Sequence, residues 1–172
     1  MLISAQFDPE GVSVMRKTDA RIDDIDARIL RALSADPRAT VVGLAEATGL
    51  ARNTVHARLA RLETEGALRS FERRIDPAAL GFPLTGYIMV VVTQRKLAGI
   101  AEALAEVPEV LEVHGLSGVT DLLVHIVARD TDDLYRVAGR ILDIDGVEKT
   151  TTSLVMRSLV DYRVGPLLNG RG

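Results

Sequence analysis

The order of periodic segments after Pro83 constrains this chain more than any other feature. Residues 87–93 are rich in β-branched and aromatic side chains, residues 97–107 carry an amphipathic helical pattern, and residues 110–116 read as a strand again. A second set follows, with a strand over 122–128, a helix over 131–141 and a strand over 147–155. The two halves echo one another: "AEVPEVLEVHGL" and "LDIDGVEKTTTS" each leave a helix, turn at Pro108 or Gly146, and enter a strand through valine. The order β-α-β-β-α-β predicts an antiparallel ferredoxin-like sheet with two helices on one face. Runs such as "YIMVVV" put valine and isoleucine on both sides of a strand. The face away from the helices therefore needs a cover, and a partner subunit is the expected one.

Ahead of this region the pattern is purely helical. Ile25, Ile29, Leu30 and Leu33 recur at helical spacing behind a capping Asp23 or Asp24, and Asp36-Pro37 breaks the run. Thr40 caps a second, short helix marked by Leu44, Ala45 and Thr48 that stops at Gly49. A third helix carries Val55, Leu59 and Leu62 inward and ends at Gly66. Residues 67–75 lose the helical period and read as a strand and linker closed by Asp76-Pro77.

Ala45, Gly49 and Val55 meet the demands of a helix-turn-helix, namely a small residue where two helices touch, a sharp turn and an aliphatic anchor. Arg52, Asn53, Thr54 and His56 then stand at the start of the third helix, where side chains enter a major groove; arginine reads guanine and asparagine reads adenine through paired hydrogen bonds. Within residues 51–74, Arg52, Arg58, Arg61, Arg69, Arg73 and Arg74 oppose Glu63, Glu65 and Glu72, a local excess of +3 in a chain whose formal charge is -3. Arg58, Arg61, Arg73 and Arg74 are thus candidate contacts to duplex DNA, although Arg58 and Arg61 are also placed to pair with Glu65 or Glu63, and His56 suits a phosphate as well as a base edge. The competing reading is a three-helix bundle used for protein contacts.

The composition removes several other classes. Without cysteine there is no disulfide framework or thiolate chemistry, and His56, His114 and His125 are too dispersed for a metal site, so neither a metal nor a cofactor is expected. The first fifteen residues interrupt a short apolar stretch with Asp8, Pro9, Glu10 and Gly11, which makes neither a signal peptide nor a membrane span, and a cytoplasmic location is expected. Met15, followed by Arg16 and Lys17, offers an alternative start of translation. With 3% aromatic residues and no aromatic pair on a strand, RNA is a poorer partner than duplex DNA.

Four blocks, "IDDIDARILRALSADPRAT", "LAEATGLARNTVHARLARLETEGAL", "RRIDPAALGF" and "GLSGVTDLLVHIVARDTDDLYRV", resemble the Lrp/AsnC family of leucine- and asparagine-responsive regulators over residues 22 to about 162. The resemblance implies an α+β chain: an N-terminal winged helix-turn-helix followed by a ferredoxin-like βαββαβ regulatory domain. It also implies homodimers paired through the sheet and their assembly to octamers. The expected divisions are a disordered extension over 1–20, the helix-turn-helix domain over 21–75, a linker over 76–82, the effector-binding and oligomerisation domain over 83–164, and a flexible tail over 165–172. Two positions depart from the family pattern: Ala51 replaces a serine cap, and Thr48 stands where an aliphatic residue is common.

Between the second and third sheet strands, "GLSGVTD" combines two glycines with short polar groups. Backbone N–H groups around Gly118 suit a carboxylate and Asp121 suits an α-ammonium, the two ends of an amino acid. By resemblance Ser117, Gly118, Val119, Thr120 and Asp121 take the effector role, with Thr150, Thr151 and above all Thr152 on the last strand as weaker candidates. A hairpin connection needs glycine in any case, and Asp121 also suits a purely local role in holding N–H groups of the turn. The expected function is a sequence-specific DNA-binding transcriptional regulator modulated by an amino acid, and not an enzyme. The alternatives are a small-molecule-sensing assembly protein without DNA binding, or a ferredoxin-like enzyme, for which no nucleophile or phosphate-cradling glycine run stands beside His114 and Asp121.

Overall fold

A computed structural model describes residues 22–69 and 74–168 of the chain. The expected N-terminal extension, Arg73, and residues 70–73 of the expected wing strand lie outside them. The chain divides into two compact units, one containing Arg74–Ser158 and the other containing the preceding helices together with the chain from Leu159 onward.

In the helical unit, α1 spans Asp24–Ala35, α2 Val41–Thr48 and α3 Arg52–Thr64. Helix α1 starts in a capping box: Asp23 accepts the Asp26 N–H at 2.8 Å and Asp26 accepts the Asp23 N–H at 3.0 Å. Thr40 caps α2 by accepting the Gly43 N–H, and Gly49 ends it in the left-handed conformation at φ 66° that the sharp turn into α3 demands. Ile29, Leu44, Ala45 and Val55 form the buried centre, with Ile25, Leu33, Leu50 and Leu59 packed around it. Thr48 is buried without loss, because its hydroxyl donates to the Leu44 carbonyl at 2.5 Å.

Two expectations change here. Residues 67–69 form no strand, so the described part of the wing region is a turn after α3 in which the Leu68 N–H returns to the Leu62 carbonyl at 2.9 Å. Residues 165–168, expected in a flexible tail, form the short helix α6, Gly165–Leu168, which packs on α1 and accepts a 2.7 Å hydrogen bond from Arg31 at the Leu168 carbonyl.

In the other unit, Asp76 caps a 3-10 turn over Pro77–Leu80 that closes at Gly81. Then come β1 Leu84–Val92, α4 Leu97–Ala105, β2 Val110–Gly115, β3 Leu122–Ala128, α5 Thr131–Leu142 and β4 Val147–Leu154. Their sheet order is β2-β3-β1-β4 with antiparallel neighbours throughout, the ferredoxin-like arrangement that the segment order predicts. One face of the central strands, with Ile88, Val90, Val124 and Ile126, packs on Ile100 and Leu104 of α4 and on Val137 and Ile141 of α5. The opposite face carries Tyr87, Met89, Leu123 and His125 in facing register, and the Tyr87 ring stacks on His125 at 4.8 Å. The turn into β4 needs glycine at 146: its φ is 96°, and a Cβ there would lie 2.8 Å from Lys96 Cδ.

Candidate nucleic-acid interface and effector loop

Helix α3 begins at Ala51 with no side-chain cap, and Asn53 does not supply one. Val55 and Leu62 are fully buried. The helical period therefore turns Asn53, His56, Ala57 and Ala60 to the opposite side, where all are exposed, and Arg52 is exposed at the first turn. Thr54 is half-buried. Four of the predicted DNA contacts, Arg52, Asn53, Thr54 and His56, are thus brought together on one end of one helix, beside the exposed Ala57 and Ala60. Among the described residues, no hydrogen bond or ion pair ties Arg52, Asn53 or His56 to another side chain.

Arg58 and Arg61 are placed differently from the expectation. Three residues apart, they share one flank of α3 and reach the start of α1. Arg58 donates to Asp23 and, at 3.2 Å, to Asp26; Arg61 donates to the other oxygen of Asp26. Asp26 is 0% exposed. The Asp26 backbone N–H, and after it the Arg58 guanidinium, hold the Asp23 carboxyl down to about 2. The glutamate pairing foreseen for these arginines survives only as a 3.7 Å contact of Arg61 with Glu65. Asp23 is legible in the sequence as a cap, whereas Asp26 is legible as an arginine partner only through the three-residue spacing shared by the two aspartates and the two arginines, which puts each pair on one helix face. Arg28, also unforeseen, donates to the Thr48 carbonyl and so pins the end of α2 ahead of the turn. Arg74 opens the other unit and is exposed.

In the β2–β3 connection, Ser117, Gly118 and Val119 are exposed, Val119 by 97%, and Thr120 is half-buried. Gly118 has φ 137° with open space around its Cβ position. Asp121 frames this loop: its N–H donates to the Val90 carbonyl at 2.9 Å, its carbonyl accepts the Leu116 N–H at 2.7 Å, and its carboxylate accepts the Val92 N–H at 2.8 Å and the Gln94 side-chain amide at 2.6 Å. Thr150, Thr151 and Thr152 pair with Val90, Met89 and Ile88 on β4, the sheet edge opposite β2. Val90 accepts the Asp121 N–H and stands opposite Thr150, so the loop and the start of the threonine run meet the same residue of β1, with Thr152 two residues further along β4.

A second polar cluster was not foreseen. Arg129 and Arg136 both grip Asp133, and Arg136 and Arg140 grip Glu109. The Arg129 guanidinium, first of several donors, pulls Asp133 well below the usual carboxylate range; burial would raise Glu109, but its Arg136 hydrogen bond and the nearby charges hold it lowered. This cluster is internally paired and joins α5 to the start of β2. Among the described residues, no group of acidic or histidine side chains is placed to hold a metal, and no helix is long and apolar enough to cross a membrane.

The chain matches two family models: the AsnC-type helix-turn-helix domain over residues 22–63 and the Lrp/AsnC ligand binding domain over residues 85–164. It is 39% identical over 142 residues to the HTH-type transcriptional regulator AldR of Mycolicibacterium smegmatis, covering 80% of this chain and 83% of that protein. It is 34% identical over 137 residues to the HTH-type transcriptional regulator FL11 of Pyrococcus horikoshii, covering 80% and 91%. Among solved structures it resembles MtbAldR, with 32% identity and a TM-score of 0.68 over 83% of this chain and 96% of that one. It also resembles a transcriptional regulator of Neisseria meningitidis in complex with L-methionine, with 27% identity and a TM-score of 0.71 over 81% and 92%. These relatives are regulators and not enzymes, and the two matched models cover both units. The chain is a DNA-binding transcriptional regulator and belongs to the Lrp/AsnC family.

Proposed function

We propose that α3 reads the major groove through Arg52, Asn53, Thr54 and His56, with Arg73 and Arg74 holding phosphates. The observation that supports this best is the exposed set Arg52, Asn53 and His56 on a helix whose Val55 and Leu62 are fully buried. A dimer presents two such helices to half-sites about 34 Å apart. Selection of bound genomic fragments supplies the site, and Arg52→Ala with Asn53→Ala then loses discrimination between that site and a scrambled duplex before it loses general affinity. Retention of the wild-type preference in both variants would exclude this face.

The finer reading is that the regulatory unit takes an amino acid at the Ser117–Asp121 loop, and that the bound state alters DNA affinity. Support comes from the ligand-binding family model and from the Neisseria relative solved with L-methionine. A loop whose Val119 is 97% exposed cannot enclose a ligand alone, so a second copy completes the site. The same assembly covers Tyr87, Met89 and Leu123 on the open sheet face, giving a homodimer and, by stacking of dimers, an octamer. In this reading the Asp121 carboxylate sets the loop's shape, while the backbone N–H groups around Gly118 receive the ligand carboxylate. A regulator of this kind works in the cytoplasm, where its DNA is. Calorimetric titration with a panel of L-amino acids, with oligomer mass followed in parallel, tests it: heat from no amino acid refutes the effector, and a monomer at every concentration refutes the assembly.

A further inference from the structure

We infer that Asp26, with Asp23, withholds Arg58 and Arg61 from the DNA phosphates, so that Asp26 positions the recognition helix and at the same time limits affinity for sequences that are not the target. The inference rests on the reading of α3 as the helix that meets DNA.

By sequence, Arg58 and Arg61 belong to a basic stretch of the chain, next to the base-reading turn. Every such arginine that reached a phosphate would release counterions and strengthen binding to any duplex, whatever its sequence. In the folded unit both have a different task. Their shared acceptor, the Asp26 carboxylate, is 0% exposed, while the guanidinium side chains are 28% and 35% exposed. A desolvated carboxylate is tolerated only while cations and N–H groups satisfy it; Asp26 has the Asp23 N–H and both arginines. Moving either arginine to a solvent-exposed phosphate strips part of that set from a group that water cannot reach, and the exposed ion pair made in exchange is the weaker of the two. The arginines therefore stay on α1. They fix α3 against the first turn of α1, on the flank away from His56, and so set the angle at which Arg52 and Asn53 are offered.

The charge balance agrees. Asp23 and Asp26 lie outside the stretch that yields the local excess of +3, and once they are counted against Arg58 and Arg61 those two arginines add nothing to the field of the reading face. Discrimination improves when sequence-independent attraction is kept low, because competing duplex is in vast excess.

The test is the salt dependence of binding to a random-sequence duplex, measured by fluorescence anisotropy for wild type, Arg58→Gln, Arg61→Gln and Asp26→Asn, with circular dichroism to verify folding. The expected result is that Arg58→Gln and Arg61→Gln keep the wild-type slope of log affinity against log salt, whereas Asp26→Asn steepens it by about one to two and binds the random duplex more tightly. A merely structural carboxylate would weaken binding without steepening the slope. Flattening by about 0.9 in either arginine variant, as expected for a lost phosphate contact, overturns the inference; so does a folded Asp26→Asn with the wild-type slope. Should Asp26→Asn fail to fold, Arg58→Gln decides, because Asp26 there keeps Arg61. A wild type that binds no duplex overturns the reading of α3 and this inference with it, whereas a bound wild type with a flattened Arg58→Gln overturns this inference alone.

Discussion

The carboxylate of Asp121 accepts the backbone N–H of Val92 at 2.8 Å, so a residue of the β2–β3 loop satisfies the last N–H of β1. Replacing it with alanine strands that N–H and the Gln94 amide and is expected to cost about 1–3 kcal/mol in urea denaturation. Asp121→Asn keeps one acceptor and is expected to lose less. If Asp121 were chiefly the partner of a ligand ammonium, the asparagine variant would lose amino-acid binding at nearly wild-type stability; the framing role requires stability and binding to fall together.

Ala51 already has the extended backbone of a helix cap, φ -65° and ψ 142°, but no side-chain acceptor. Ala51→Ser is expected to stabilise the helical unit by about 1 kcal/mol, since a serine hydroxyl would satisfy one of the first N–H groups of α3. An unchanged midpoint in urea would mean that water already satisfies those groups equally well.

At Gly146, alanine would combine a left-handed backbone with a Cβ placed 2.9 Å from Lys96 Cβ and 3.1 Å from Ile100 Cδ1. The backbone strain alone is about 1–2 kcal/mol, and the contact with Lys96 Cβ cannot be relieved by the far end of that side chain. Gly146→Ala is therefore expected to lower the thermal midpoint of the regulatory unit. By contrast Gly99→Ala, where a Cβ meets nothing within 4 Å, is expected to leave it unchanged or raised.

Asp23 is held at about 2 against an ordinary 3.8. A carboxyl depressed by folding contributes stability that is present in full above its unfolded value and disappears as pH falls toward the folded one. The difference in stability between wild type and Asp23→Ser, which keeps a capping oxygen but not the charge, is expected to be constant from neutrality to about pH 4 and to shrink between about pH 4 and pH 2. Denaturation midpoints across that range provide the measurement; a difference that does not change with pH would show that Arg58 draws no benefit from the Asp23 charge.

The regular elements were legible because each rests on local chemistry. Leu122–Ala128 and the start of α5 at Thr131 are set by an apolar run and an Asp130 cap adjacent in sequence. Gly49 and Gly146 mark turns that few other residues can make. What stayed hidden depends on groups far apart in the chain. Arg58 and Arg61 look like DNA contacts when counted with their neighbours, and only the fold brings Asp26 to them. The Asp121 contact with Gln94, likewise, joins the two ends of strands that sequence alone does not pair. Packing α6 on Arg31 spans most of the chain, and "GPLL" carries no periodic signal of its own.

Docking of α6 on α1 comes late in biosynthesis. Helices α1 to α3 leave the ribosome early, yet the segment that docks on α1 is translated roughly a hundred residues after α3, a delay of about 5–20 s at ordinary elongation rates. Through that interval the surface around Arg31 stands uncovered while the whole regulatory sheet is being made. The nascent helical unit can gather its first three helices before its last piece arrives, but the contact between α1 and α6 forms only once residues 165–168 have emerged.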